Sequence, residues 1–121
     1  MSDDLTEAII GAAVEVHKLL GPGLLESIYQ EALCHEVSLR GMPFQKQVAV
    51  EVKYKDCAIQ GQRLDLLVNN QVVVEIKSLR TVPEVATAQV LSYLTVTGLK
   101  RALIINFGAE KLVHGIKRVS L

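Results

Sequence analysis

Apolar positions recur with a helical period through the first forty residues. In segment 5–20, LTEAIIGAAVEVHKLL, residues Leu5, Ile9, Ala12, Ala13, Val16 and Leu20 fall along one helix face. Asp4, with Glu7 three residues later, predicts a capping box at its start. Gly21-Pro22-Gly23 stops this helix. A second is expected over roughly 24–40, with Leu25, Ile28, Tyr29, Ala32, Leu33 and Val37 as its inner stripe and Gly41 as its stop.

The period then changes to two. Val48, Val50, Val52 and Tyr54 alternate with polar or small residues, which reads as a strand. Segment 56–62, DCAIQGQ, is expected to connect it to a second strand, Arg63–Val68. Asn69-Asn70-Gln71 turns into a third, Val72–Lys77. Pro83 lies near the start of another helix, roughly 84–97, ended by Gly98. RALIINF is a continuous apolar strand, and LVHGIKRVSL holds a short last one. The order ααβββαββ predicts an α/β fold, a mixed β-sheet flanked by helices.

Composition narrows the class. A chain of 121 residues, half of them apolar and without repeats, fits one domain spanning 1–121. No apolar run approaches the length of a membrane span, so no membrane partner is expected. The acidic start lacks the basic region of a signal peptide, and a cytoplasmic location is expected. Thirteen basic and thirteen acidic side chains cancel, which argues against tight, metal-free, non-specific binding to nucleic acid. It leaves room for a local basic patch, or for acids neutralised by a cation. Cys34 and Cys57 read as reduced thiols. His17, His35 and His114 show no ligand spacing and suit surface or capping roles.

The third strand carries the chemistry. Residues two apart in a strand face the same way, so Glu75 and Lys77 share a face with Val73, and Val72, Val74 and Ile76 take the other. A carboxylate can ligate a hard cation, and an ammonium beside it can orient water or offset developing phosphate charge. On these two residues alone, a solvated ion pair on a sheet edge fits as well. Asp65, set among Leu64, Leu66 and Leu67, is disfavoured in a strand and costly if buried unpaired. A two-residue Asn69-Asn70 turn would face Asp65 away from Glu75. An odd-length connection puts both carboxylates on one face, and an odd loop or a bulge is the expectation. Two carboxylates held so close call for a divalent cation.

Asp65 followed by Glu75-x-Lys77 resembles the signature of the PD-(D/E)XK nuclease superfamily, with Leu64 where the literal proline would stand. Gly23-x-x-Glu26-x-x-Tyr29, inside LGPGLLESIYQEAL, resembles the opening of the GxxExxY family of small stand-alone domains in that superfamily. AQVLSYL resembles the Gln-x-x-x-Tyr helix motif of its RecB-type branch, and INFG and GIKRV also look like that family. The resemblance runs from about residue 6 to the C-terminus.

It implies a restriction-endonuclease-like core and a nuclease dependent on Mg2+ or Mn2+. Asp65 and Glu75 would hold the metal, joined by the Ile76 carbonyl and by Glu26. Lys77 would position or activate the attacking water. Gln89 and Tyr93 would face the site and steady the lysine or the nucleic-acid backbone.

On the residues alone, Tyr29 and Tyr93 also suit a core aromatic with a satisfied hydroxyl. Glu26 also suits a helix N-terminal charge, and Gln89 an ordinary surface role. Arg63, Arg80, Lys100, Arg101, Lys117 and Arg118 could contact phosphates, with Arg63, Arg80 and Arg118 taken as nucleic-acid contacts. With two Phe and no Trp, stacking platforms for single strands look poor. DNA is favoured over RNA by superfamily habit only. Two other readings stand beside the nuclease: a non-catalytic nucleic-acid or protein interaction module keeping the fold, and a metal-dependent hydrolase of another substrate. Ile9, Ile10 and Val14, spread around the first helix, suggest a homo-oligomer contact.

Overall fold

The computed structural model describes residues 3–121. Helix α1 spans Asp4–Leu20 and helix α2 spans Glu26–Leu39. The N-cap of α1 is Asp3, one residue before the expected Asp4. The Asp3 carboxylate accepts hydrogen bonds from the Thr6 N–H at 2.7 Å and the Thr6 hydroxyl at 2.8 Å. Glu7 is engaged elsewhere, in an ion pair with Arg118. The inner stripe of α2 also shifts. Tyr29, Leu33, Cys34 and Val37 are buried, whereas Leu25 is 71% and Ile28 43% exposed. Leu25 is an extended N-cap and lies outside the helix, so helical periodicity does not govern it.

Strands β1 (Phe44–Tyr54) and β2 (Cys57–Val68) form a long antiparallel hairpin closed at Tyr54↔Cys57. The expected connector 56–62 is therefore mostly strand. Its residues are exposed and bury no face, which leaves no hydrophobic alternation to read. Strand β3 is Val72–Lys77, and β4 is Arg101–Asn106. Helix α3, Val85–Thr97, joins them and ends at Gly98 as expected. A 3-10 turn at Leu112–Gly115 leads into β5, Ile116–Ser120. The sheet order is β1-β2-β3-β4-β5, with β3 and β4 parallel and the other pairs antiparallel. The right class and order were thus legible from periodicity.

Each sheet face carries its own core. Val72, Val74, Ile76, Leu103 and Ile105 pack under α1 and α2. Val73, Ala102, Ile104, Val50 and Leu64 pack under α3. Ile9 is fully buried and Ile10 packs against the same core, so of the three residues expected at a second copy only Val14 stays exposed. His17 is buried too, and its Nε2 lies 2.8 Å from the Ala109 carbonyl. Cys34 and Cys57 are free thiols, one buried and one exposed. Among the described residues, no helix is long and apolar enough to cross a membrane.

Candidate active site

The site lies where the sheet divides. β2 and β3 share only the pairs Leu66↔Val74, Leu67↔Val73 and Val68↔Val72, across a three-residue connection, Asn69–Gln71. The odd length predicted from the carboxylates is the one found. Continuing that register sets Asp65 level with Glu75, and there β2 leaves with β1 while β3 stays with β4. The Ile76 N–H, freed by the division, donates to Asp65 Oδ2 at 2.7 Å. The N–H and C=O of one strand residue point to the same edge, so the Ile76 carbonyl also faces the gap.

A residue absent from the sequence reading shapes the split. Gln47 stands opposite Asp65, between the pairs Lys46↔Leu66 and Val48↔Leu64, and has φ 52°. A left-handed non-glycine residue inside a strand costs roughly 1–3 kcal/mol and persists only where its surroundings fix it. Here its carbonyl accepts from Arg63 Nη1 at 3.0 Å, and its side-chain amide donates to Gln30 Oε1 at 2.7 Å. Leu66 belongs to the core under α1 and α2, but Leu64 to the core under α3. Between them β2 turns about its own axis at Asp65.

Burial dominates the electrostatics. Glu75 is 8% exposed, and its Oε1 is buried without a hydrogen-bond partner. That burial, then the Asp65 charge, pushes its carboxyl up to about 7, with Lys77 pulling the other way. Asp65 is raised as well, chiefly by burial and further by Glu26, while the Ile76 N–H, Lys77 and Gln47 oppose the rise. A buried, orphaned carboxylate oxygen beside a second carboxylate is the donor set a hard cation fits. Among the described residues, no three Asp, Glu, His or Cys side chains gather closely enough to hold a metal by themselves. Glu26 does not complete a three-carboxylate cluster with the pair, and its charge raises both carboxyls.

Tyr29 of the Gly-x-x-Glu-x-x-Tyr segment lies outside the site. Its ring stacks on Phe107 at 4.5 Å, its hydroxyl donates to the Gly21 carbonyl, and it accepts from the Leu24 N–H at 3.1 Å. Ser78, next after Lys77, donates to the Leu24 carbonyl. Gly23 in this loop has φ 101°, a conformation side chains rarely adopt. The loop so clamped ends at Glu26 and borders an open cleft of about 750 Å3 lined by Leu24, Leu25, Glu26, Ser78 and Arg80.

On α3, Tyr93 is half-buried and donates to Gln62 Oε1 at 2.6 Å, tying the helix to the hairpin. Burial raises its hydroxyl, followed by the charges of Glu75 and Asp65. Gln89, one turn earlier, is exposed. Arg63 is held at the rim by Gln47, and Arg80 lines the cleft. Arg118 points to the α1 side and pairs with Glu7 at 2.6 Å. Gln47, Gln62 and Ser78 carried no signal in the sequence, because each acts through a partner distant along the chain.

No curated protein and no solved structure matches the chain. A family model for the PD-(D/E)XK nuclease superfamily matches residues 3–119. That match runs from the first helix into the last strand, so the protein belongs to the PD-(D/E)XK nuclease superfamily.

Proposed function

We propose that this protein hydrolyses phosphodiester bonds in nucleic acid, with DNA favoured, using Mg2+ or Mn2+ bound at the sheet division. The observation that carries the reading is the orphaned, buried Glu75 oxygen beside Asp65 and above the freed edge of Ile76. Asp65, Glu75 and the Ile76 carbonyl would hold the cation. Mg2+ keeps several waters and needs only one or two carboxylates, so the lack of a third close carboxylate fits it. When bound, the metal supplies Lewis-acid stabilisation of the phosphate charge.

The chain's own residues do the rest. Lys77, on the same strand face as Glu75, donates to the attacking water and keeps it in line with the bond to be broken. Glu26 would order water near the bound metal. Tyr93 and Gln89 steady the backbone of the strand, and Arg63 and Arg80 pair with its phosphates. The spacing of Gly23, Glu26 and Tyr29 supports placement in the GxxExxY branch.

Purified protein incubated with single-stranded, double-stranded and branched DNA, and with RNA, tests the proposal. Cleavage should require Mg2+ or Mn2+ and fall at least a hundredfold in Lys77→Ala and Asp65→Asn, on the order expected for groups at the reacting centre. Calorimetric metal binding should vanish in Asp65→Asn. Absence of metal-dependent cleavage on every substrate would favour a non-catalytic interaction module instead.

A further inference from the structure

A second cleft, of about 430 Å3, opens on the α3 side of the sheet end, lined by Arg80, Thr81, Glu84, Thr87, His114 and Lys117. Arg80 lines this cleft and the one beside Glu26 alike, so the two adjoin at that side chain. A buried staple builds the junction. Asn106 is 4% exposed, and its Oδ1 accepts from the Leu79 N–H at 2.9 Å and the Gly108 N–H at 3.0 Å. Its Nδ2 donates to the Leu79 carbonyl at 2.9 Å. Gly108 presses so close that a Cβ there would lie 2.3 Å from the Leu79 oxygen. The segment after β3, which carries Arg80, is thereby locked to the segment after β4, which leads to His114 and Lys117.

The cleft itself carries more cationic than anionic side chains. Arg101 and Arg118 are neutralised by Asp3 and Glu7. Arg80 and Lys117 form no ion pair among the described residues and face one cleft containing a single acid, Glu84. Lys117 alternates with Ile116, which packs under α1, and shares its face with Val119 of the α3 core. It therefore points to the α3 side. A neutral chain thus sets two cations against one acid, with two threonines, in a cleft that adjoins the one beside Glu26.

We infer that the cleft of Arg80, His114 and Lys117 is a subsite for one backbone phosphate of a nucleic-acid strand whose neighbouring nucleotides reach the carboxylates past Arg80. The inference rests on the nuclease reading for its ligand class. Its volume lies within the range of small-molecule sites, so it has room for one nucleotide unit of a longer strand. Lys117 and Arg80 pair with the phosphate, and the threonine and His114 groups bond its oxygens.

Fluorescence anisotropy of a labelled single-stranded DNA, titrated with salt in chelator so that nothing is cut, tests this. Lys117→Gln and Arg80→Gln should each weaken binding several-fold and lower the slope of log affinity against log salt by about 0.7, the value for one single-strand phosphate contact. Lys117→Arg should restore the slope, and Lys18→Gln, in the last turn of α1, should leave it unchanged. An unchanged slope in both cleft variants, or no strand binding by the wild type, overturns the subsite. Inorganic phosphate that displaces the strand far below the ionic strength at which chloride does so reassigns the cleft to free phosphate and overturns it too. Cleavage is read separately: metal-dependent cutting with an unchanged slope sinks only the subsite, and slope loss without cutting sinks only the nuclease reading.

Discussion

Glu75 carries the sharpest residue-scale consequence. Burial lifts its carboxyl from an ordinary 4.5 to about 7, so the metal-free native state keeps a proton that the unfolded chain releases. The stabilisation is complete below the unfolded value and is lost as pH rises through about 7. The span amounts to about 3 kcal/mol. In chelator, the urea midpoint should fall between about pH 5 and pH 8, and Glu75→Gln should flatten that fall. Added Mg2+ should restore stability at the alkaline end, because the cation replaces the proton. Equal pH slopes in the two proteins would mean that Glu75 is not protonated when buried. Asp3 shows the opposite sign. Hydrogen bonds from Thr6 hold its carboxyl down at about 2, and Asp3→Ala should cost about 1 kcal/mol in chemical denaturation near neutral pH. Glu75 and Asp65 stood out in the sequence because charge in an apolar strand is conspicuous. Gln47 did not, since an exposed glutamine in a polar stretch looks ordinary, and the partners that hold it at positive φ, Arg63 and Gln30, lie far along the chain.

At the scale of elements, two joints hold the site. Tyr29 and Ser78 tie the α1–α2 loop to the end of β3, so the start of α2 is anchored to the strand that carries Lys77. Tyr29→Phe leaves the Leu24 N–H and the Gly21 carbonyl without their shared partner. It should destabilise the fold by about 1 kcal/mol and weaken calorimetric metal binding, because Glu26 loses its fixed place. Metal binding at wild-type strength in that variant would limit the clamp to stability. The second joint is Gly108 against Leu79. Gly108→Ala forces a methyl onto backbone, and a loss of about 2 kcal/mol or more in thermal or urea unfolding is expected. The sequence marked both joints as motifs, Gly-x-x-Glu-x-x-Tyr and INFG. It did not reveal that Tyr29 and Asn106 are braces, because bracing is a property of the partners they meet.

For the whole molecule, the sheet is two structures sharing three pairs. β3 and β4 are sandwiched between helices, while residues 51–62 of the hairpin are exposed and have no third strand beside them. Hydrogen exchange should therefore be slowest at Val73–Ile76 and Leu103–Ile105 and much faster across the outer hairpin. Uniform protection over both would contradict the division. The Tyr93–Gln62 bond limits the swing of the hairpin against α3, and Tyr93→Phe should raise exchange in the hairpin more than in β4.

The sequence by itself determined the period of the first helix and most strands, the ends of the third helix, the order of the elements, and the parity that puts Glu75 and Lys77 on one face. These are local properties, set by which side chain follows which. It also signalled, through two carboxylates that one cation would serve, an odd β2–β3 connection or a bulge. Residues 57–62 of β2 escaped notice because that exposed stretch, with Gly61 and two glutamines, shows no apolar alternation. Only the tertiary structure decided where the sheet divides, that Glu26 stands outside a three-carboxylate cluster, that Arg118 faces the α1 side, and that Arg80 lines two clefts. Each depends on contacts between residues tens of positions apart, which no local period encodes.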